Sequence, residues 1–281
     1  METEVIPAGG RHGAEQFREI ADNGTILRII TGSALHGTAV GDQGDRDEQG
    51  ICVEPITWLA GVRSFPDPTP LSPGGPFEQY IYRTKAEGVP SGPGDLDLTV
   101  YGLRKWMRLA LDGNPSSLLP LFVPDFAVVA ETVLGKELRA LAPAILSRRA
   151  GGRFAGYLDR QRQSMLSREG KGRDVTRPEL VAKYGFDCKY GAHMIRLGFQ
   201  GRELMTTGRI TLPMPEAERE YVREIRQGHV SMRECLHNAE LLEKQIGEAA
   251  QTSPLPEQPG YARVDRWMNG AYLRMWLGDA R

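Results

Sequence analysis

Between residues 125 and 135 the hydrophobic pattern of this chain changes period, and that change restricts the available folds more than any other feature. Before it, apolar residues come in short runs punctuated by Gly, Pro and Asp. Ala14 to Asn23 places Phe17, Ile20 and Ala21 on one side, a short amphipathic helix ended by Asn23-Gly24. Thr25 to Thr31 (TILRIIT) is β-branched and apolar and predicts a buried strand, which Gly32-Ser33 breaks at its carboxyl end. The Gly- and Asp-rich stretch from Gly37 to Gly50 is too polar for a core and leads into a second short strand, Ile51-Cys52-Val53. Loops rich in Pro and Gly at Pro66–Pro76 and Gly88–Gly94 flank a third strand, Phe77 to Thr84. Asp95 to Val100 is a fourth. Tyr101 to Leu111 then turns helical, with Leu103, Trp106, Met107, Ala110 and Leu111 on one face, and Gly113-Asn114-Pro115 stops it.

From about Glu131 onward the apolar spacing is helical. ETVLGKELRALAPAIL, RFAGYLDRQRQSMLSRE, Asp187 to Met205, Ser231 to Ala250 and Val264 to Leu277 all fit a period of about 3.6. The expected class is α/β (α+β): a small mixed sheet with flanking helices over residues 1–128, followed by a helical C-terminal domain over 129–281. At 281 residues, 40% hydrophobic and 25% charged, the chain can bury a core without staples. Its best apolar stretch, Leu118 to Ala130, is cut by Pro120, Pro124 and Asp125 and falls short of the roughly 20 residues a spanning helix needs, so no membrane partner is expected. The opening METEVIPAGG lacks a signal-peptide core. Cys52, Cys188 and Cys235 show no C-x-x-C spacing, which fits reduced thiols and a cytoplasmic location.

Charge is divided along the chain. Residues 1–146 hold 12 Lys/Arg against 19 Asp/Glu, whereas residues 147–178 hold nine basic and three acidic residues. An acidic half beside a basic segment suggests a cation site next to something that meets an anion; uneven surface charge is the plainer reading.

The chemistry-bearing segment begins where the first strand ends. Gly32 allows close backbone approach to a ligand, and Ser33 offers a hydroxyl and an N–H to phosphate oxygens. Asp45 and Asp47 are two apart, so on a strand both carboxylates leave one face. Two carboxylates held together are costly unless a cation lies between them, and hard Mg²⁺ is the usual one; a solvated acidic loop is the alternative. Asp95 and Asp97 repeat the pattern at the start of a later strand. Three carboxylates around two metals is the arrangement that in-line phosphoryl or nucleotidyl transfer needs.

These residues resemble a known family. Gly32-Ser33, Gly37-Thr38 and Asp45-x-Asp47 before a Gly-apolar strand look like the signature of the DNA polymerase beta-like nucleotidyltransferase superfamily. DLTVYGLRKWMRLALDGNPSSLLPLF, KYGFDCKYGAHMIRLGFQGRELMTTGRITLP, IRQGHVS and SPLPEQP narrow the resemblance to predicted nucleotidyltransferases associated with bacterial RNA repair, from about Ile26 to Trp267. The resemblance implies a nucleotidyltransferase fold, with Asp45 and Asp47 as ligands of both metals and Asp97 as the third carboxylate. Asp95 competes for that third role. Gly32 and Ser33 would hold the triphosphate. Gly44 stands where the usual pattern has serine, which leaves the ligands intact and alters the loop. The implied cofactor is Mg²⁺ in a two-metal site, with Mn²⁺ as a substitute.

On the helix from Asp187, Lys189, His193, Arg196 and Gln200 form one polar stripe beside an apolar one of Tyr190, Met194, Leu197 and Leu204. Lys189, His193 and Arg196 either line the nucleotide cleft or face solvent. Arg104 and Lys105 read as an exposed helix face. Arg148 to Arg177, with Phe154 and Tyr157 interleaved, could track an RNA backbone while the aromatics stack on bases. His36 lies near the phosphate turn. There is no G-x-S-x-G, P-loop or dinucleotide fingerprint, and Cys235 and His237 diverge on a helix, which argues against zinc.

The expected function is transfer of a nucleoside monophosphate from a nucleoside triphosphate to an acceptor hydroxyl, an RNA or tRNA end, with release of pyrophosphate. The alternatives are nucleotidylation of a protein or small molecule, or a nucleic-acid-binding protein with a vestigial site.

Overall fold

The computed structural model describes residues 12–41, 45–59, 77–84, 92, 94–166 and 177–278. The loop at Pro66–Pro76 and most of that at Gly88–Gly94 lie outside the described residues. Helix α1 (Glu15–Gly24) leads into β1 (Thr25–Ile30), and the short α2 (Gly32–His36) precedes β2 (Arg46–Cys52). After α3 (Ile56–Leu59) come β3 (Gln79–Arg83) and β4 (Leu96–Gly102), then α4 (Leu103–Leu111), α5 (Pro115–Leu118) and β5 (Val128–Glu131). The remainder is helical: α6 (Val133–Ala140), α7 (Ala142–Ile145), α8 (Arg149–Leu166), α9 (Pro178–Tyr184), α10 (Cys188–Thr207), α11 (Glu216–Arg226), α12 (Met232–Thr252) and α13 (Tyr261–Leu277).

The strands form one mixed sheet in the order β3-β4-β2-β1-β5. Strands β1 and β2 pair antiparallel, as do β1 and β5 and β3 and β4, whereas β2 and β4 run parallel. The expected fold class is borne out. Two details differ from the sequence reading. Strand β2 begins at Arg46, well ahead of Ile51, and buries Glu48 and Gln49. Glu48 is tolerated inside because Arg28 and Arg46 both donate to it, so a neighbouring strand neutralises what looked like loop chemistry. Strand β5 closes the far edge of the sheet across residues 128–131, at the expected start of the helical half.

Packing follows the patterns. Leu103, Trp106, Met107 and Ala110 of α4 are buried as a stripe. Helix α10 is the hub of the helical half, lying against α8, α11 and α12. One hydrophobic core runs from Ile26 and Ile29 of β1 through Trp106 and Phe154 to Val264 and Tyr272 of α13. Glu54, just after β2, couples the halves. It accepts from the Leu103 and Arg104 amides at the start of α4 (3.1 and 3.3 Å) and from Tyr272 Oη (2.8 Å), while Trp276 Nε1 donates to its carbonyl (2.9 Å).

Most described cations of the basic segment are occupied inside the protein. Arg148 donates to the carbonyls of Ser253 and Leu255, Arg149 and Arg153 pair with Asp112, and Arg162 bridges Asp159 and Glu243. Phe154 is fully buried and Tyr157 Oη accepts from Asn114. The idea that these aromatics stack on bases is therefore wrong for Phe154, because the helical period that interleaves it with arginines also turns it inward. Residues 167–176 lie outside the described residues. Lys105 donates to Glu78 and Gln79 and Arg104 is exposed, as the helix-face reading expects. No described helix is long and apolar enough to cross a membrane.

Candidate active site

The parallel pairing of β2 and β4 sets Asp47 directly beside Asp97. Side chains in register on adjacent strands leave the same face about 4.8 Å apart. Asp45, one alternation ahead of Asp47, belongs to that face, whereas Arg46 between them reaches back to Glu48 (2.5 Å). Asp97 is also held from its other side: Arg83, opposite it across β3, donates Nε to Oδ2 at 3.0 Å. Asp95 does something else. It accepts from Thr84 Oγ1 and the Gly92 amide, each at 2.9 Å, and so closes a turn away from the cleft.

Strand β1 delivers the Gly32–Ser33 turn to the same place. The Thr31 amide donates to the Asp47 carbonyl (2.8 Å), which locks the end of β1 to the start of β2. Gly32 has φ +64°, and a Cβ there would lie 2.9 Å from Asp47 Cγ. Only glycine provides both that backbone angle and that approach. Gly32 and Ser33 consequently line the cleft beside Asp47.

The facing wall belongs to the helical half. Asp187 caps α10 by accepting from the Lys189 and Tyr190 amides (3.0 and 3.4 Å). Its other oxygen binds Arg177 through the main chain and the guanidinium, each at 3.1 Å, and Arg177 stacks on Tyr190. Lys189, His193 and Arg196 then project along the helix into the cleft. Arg226, at the end of α11, reaches across to donate to the Thr38 carbonyl (2.6 Å). Burial lowers the Arg196 pKa to about 10 and that of Arg226 in the same direction, yet guanidinium groups stay cationic at neutral pH. Burial, reinforced by Arg196 and Arg177, pushes His193 down to about 3, so this histidine contributes hydrogen bonding and no charge.

The result is a cleft of about 570 Å³ with carboxylates on its sheet side and cations on its helical side. All eight residues expected from sequence line it: Gly32, Ser33, Asp45, Asp47, Asp97, Lys189, His193 and Arg196. Arg177, Tyr190 and Arg226 also line it; sequence reasoning placed Arg177 only in the segment that could track RNA, and assigned no site role to Tyr190 and Arg226 or to Gln49, Thr99 and Tyr101 deeper on the sheet face. Arg177 ended the basic segment and Arg226 sat in the IRQGHVS block, so both carried a signal. Alternation from Asp47 and Asp97 would have found Gln49, Thr99 and Tyr101. Gln200 lies in the helical stripe but is buried against His36. Among the described residues no three His, Cys, Asp or Glu side chains converge as a ready-made metal site.

The chain belongs to the RNA repair pathway DNA polymerase beta family (RlaP), which it matches over residues 10–269. Comparison with curated proteins finds no match. Among solved structures it is similar to a nucleotidyltransferase-like protein from Exiguobacterium sibiricum 255-15, at 12% identity over 85% of this chain and 72% of that chain, with a TM-score of 0.28.

Proposed function

With that membership as premise, we propose that the protein is a Mg²⁺-dependent nucleotidyltransferase that transfers a nucleoside monophosphate from a nucleoside triphosphate to the hydroxyl of an RNA or tRNA end. The observation that supports this most is the register of Asp47 on Asp97, with Asp45 on the same face, opposite a cationic wall. The donor chemistry fits a divalent cation, which would draw together three carboxylates that do not converge as a site by themselves. Carboxylate oxygens are the donors that Mg²⁺ or Mn²⁺ takes, and the missing Cβ of Gly32 is what lets the Asp47 carboxylate lie against the Gly32–Ser33 turn. Asp45, Asp47 and Asp97 would hold it, with Arg83 on Asp97 Oδ2 leaving Oδ1 for the cleft. When bound, the cation lowers the pKa of the attacking hydroxyl and offsets charge at the phosphorus.

The chain's own contribution is position and charge. Gly32 and Ser33 let phosphate oxygens approach the main chain beside Asp47. Lys189, Arg196 and Arg226 counter the triphosphate charge and the negative charge that gathers on departing pyrophosphate. Neutral His193 donates or accepts a hydrogen bond without adding charge. Asp97 lies on the β4 side, away from the turn after β1, and so faces the acceptor hydroxyl. The helical half from residue 129 thus supplies the substrate-binding wall and the sheet half the carboxylates. No covalent enzyme intermediate is needed, because in-line attack requires only that donor and acceptor be held together.

Pyrophosphate release with each of the four nucleoside triphosphates, Mg²⁺ and total RNA, in wild type and Asp47→Asn, tests the reading. Release that requires RNA and disappears in the variant is expected. Release without RNA, still lost in the variant, would move the acceptor to a protein or a small molecule. No release from folded protein, together with no stabilisation by Mg²⁺ and triphosphate, would refute the enzymatic reading.

A further inference from the structure

His36 sits three residues beyond the phosphate turn, yet it is 3% exposed. Its ring spans the gap between the two halves. Nε2 lies 2.9 Å from Arg196 Nη1, and Nδ1 lies 3.1 Å from Gln200 Nε2, one helical turn further along α10. Arg196 Nη1 also donates to Gln200 Oε1 at 2.8 Å. These three contacts cannot all be satisfied at once. A neutral imidazole has one N–H and one lone pair. If the hydrogen is on Nδ1, it meets the Gln200 amide hydrogens; if it is on Nε2, it meets the guanidinium. Turning the Gln200 amide moves the conflict to Arg196 and Gln200. A second proton on the ring would make matters worse, and burial beside Arg196 and His193 opposes it. The cluster is one hydrogen-bond acceptor short.

An anionic oxygen in the cleft supplies that acceptor. Arg196 Nη1 then gives one hydrogen to the ligand and keeps the other on His36 Nε2. Gln200 turns its Oε1 to the His36 Nδ1–H, so both imidazole nitrogens and both Arg196 Nη1 hydrogens have partners. We propose that His36 is a positioning residue that aims Arg196 at a polyphosphate bound over the Gly32–Ser33 turn. The inference rests on reading the cleft as a triphosphate site and adds what directs its buried cation. The ligand chemistry is a chain of phosphoryl oxygens, found both in a nucleoside triphosphate and in released pyrophosphate.

The test is a double-mutant cycle on binding, which needs no turnover. Affinities for Mg²⁺-tripolyphosphate, Mg²⁺-pyrophosphate and Mg²⁺-ATP are measured by calorimetry for wild type, His36→Leu, Arg196→Ala and the double variant. His36→Leu should weaken tripolyphosphate and ATP alike, about tenfold or more as expected for a hydrogen bond to a charged group. It should have no further effect in the Arg196→Ala background. His36→Gln, which can still present an oxygen to Arg196, should recover most of the affinity, a rescue that a packing role would not give. A pyrophosphate response without a tripolyphosphate response would assign the contact to the product. Equal losses in both backgrounds, or none, would overturn the proposal. Should His36→Leu fail to fold, nitrogen-15 spectra of the wild-type imidazole decide instead. Saturating tripolyphosphate should fix the Nδ1–H tautomer; an Nε2–H tautomer or unchanged shifts would refute it. Wild type that binds none of the three ligands would sink the cleft assignment itself, and this inference with it.

Discussion

Replacing Gly32 by alanine should separate stability from function more sharply than any other single change. Gly32 has φ +64°, where an L-residue pays about 1–2 kcal/mol. The added methyl would also sit 2.9 Å from Asp47 Cγ and 3.1 Å from its Cβ, against an ordinary contact of 3.4 Å or more. It would overlap Asp47 Oδ2 outright, so relief requires the carboxylate to swing away by about 1 Å or more, since repulsion is steep inside contact distance. Together these predict a destabilisation of about 2 kcal/mol, or roughly 3–4 °C in Tm for a chain of this size. The functional loss should be far larger. Displacing a reacting group by about 1 Å can cost 10²-fold, and Asp47 is central to the carboxylate face. Calorimetric melting and pyrophosphate release at 25 °C, where Gly32→Ala remains folded, would measure both. Ser33→Ala provides the neighbouring control, because it changes the same turn without adding bulk against Asp47. A Gly32→Ala protein with activity within threefold of wild type would refute the claim that this glycine exists to let the phosphate turn approach the carboxylate.

Other expectations concern charge. The folded pKa of Glu54 is raised by burial, so the fold binds its proton more readily than the unfolded chain does. Its contribution is full below the unfolded value near 4.5 and is lost as pH rises through the folded value; wild type should therefore gain stability relative to Glu54→Gln in urea melts as pH falls from 7 toward 5. His193 behaves in the opposite sense. With a folded pKa of about 3, it favours the folded state fully above about 6.5 and loses that contribution as pH drops, by up to ~1.4 kcal/mol per pH unit. His193→Gln should flatten that part of the acid-unfolding profile, and an unchanged profile would show that the ring titrates freely. Arg83→Ala should leave Tm within about 2 °C, because a partly exposed pair is worth ~0–1 kcal/mol. It should lower the Mg²⁺ concentration for half-maximal pyrophosphate release by freeing Asp97 Oδ2, and a higher requirement would mean that Arg83 orients the carboxylate for the metal.

Much of this arrangement was legible from residue patterns. Strand β1 and helix α4 announced themselves through β-branching and a buried stripe, and Asp45 and Asp47 do line one cleft, whereas Asp95 and Asp97 part ways. What the pattern could not carry was partnership between distant residues. Asp-Arg-Asp-Glu-Gln reads as loop until Arg28 arrives from β1 to neutralise Glu48. Helix α11 (EAEREYVREIR) buries only Val222 and Ile225, too little for its period to stand out, yet it delivers Arg226. Choosing between Asp95 and Asp97 required the register, which places one in the cleft and the other in a turn. The basic segment misled for the converse reason, since charge counted along a chain says nothing of the carboxylates and carbonyls that meet it after folding.

The charge division along the chain acquires a physical meaning from the core that joins its halves. A sheet face carrying Asp45, Asp47 and Asp97 repels a triphosphate, and a wall of Lys189, Arg196 and Arg226 repels a divalent cation. On the proposed reading neither wall alone would bind the cation–triphosphate pair, whereas the two facing each other across one cleft would attract both components. That requires a fixed separation, and the hydrophobic core running from β1 to α13, with Glu54 bonded to α4 and Tyr272, provides it. Electrostatic stabilisation is most effective when its charges are in place before the ligand arrives. On the proposed reading, phosphate would draw Arg196 away from Gln200, while the packing that sets the distance between the walls would stay as it is.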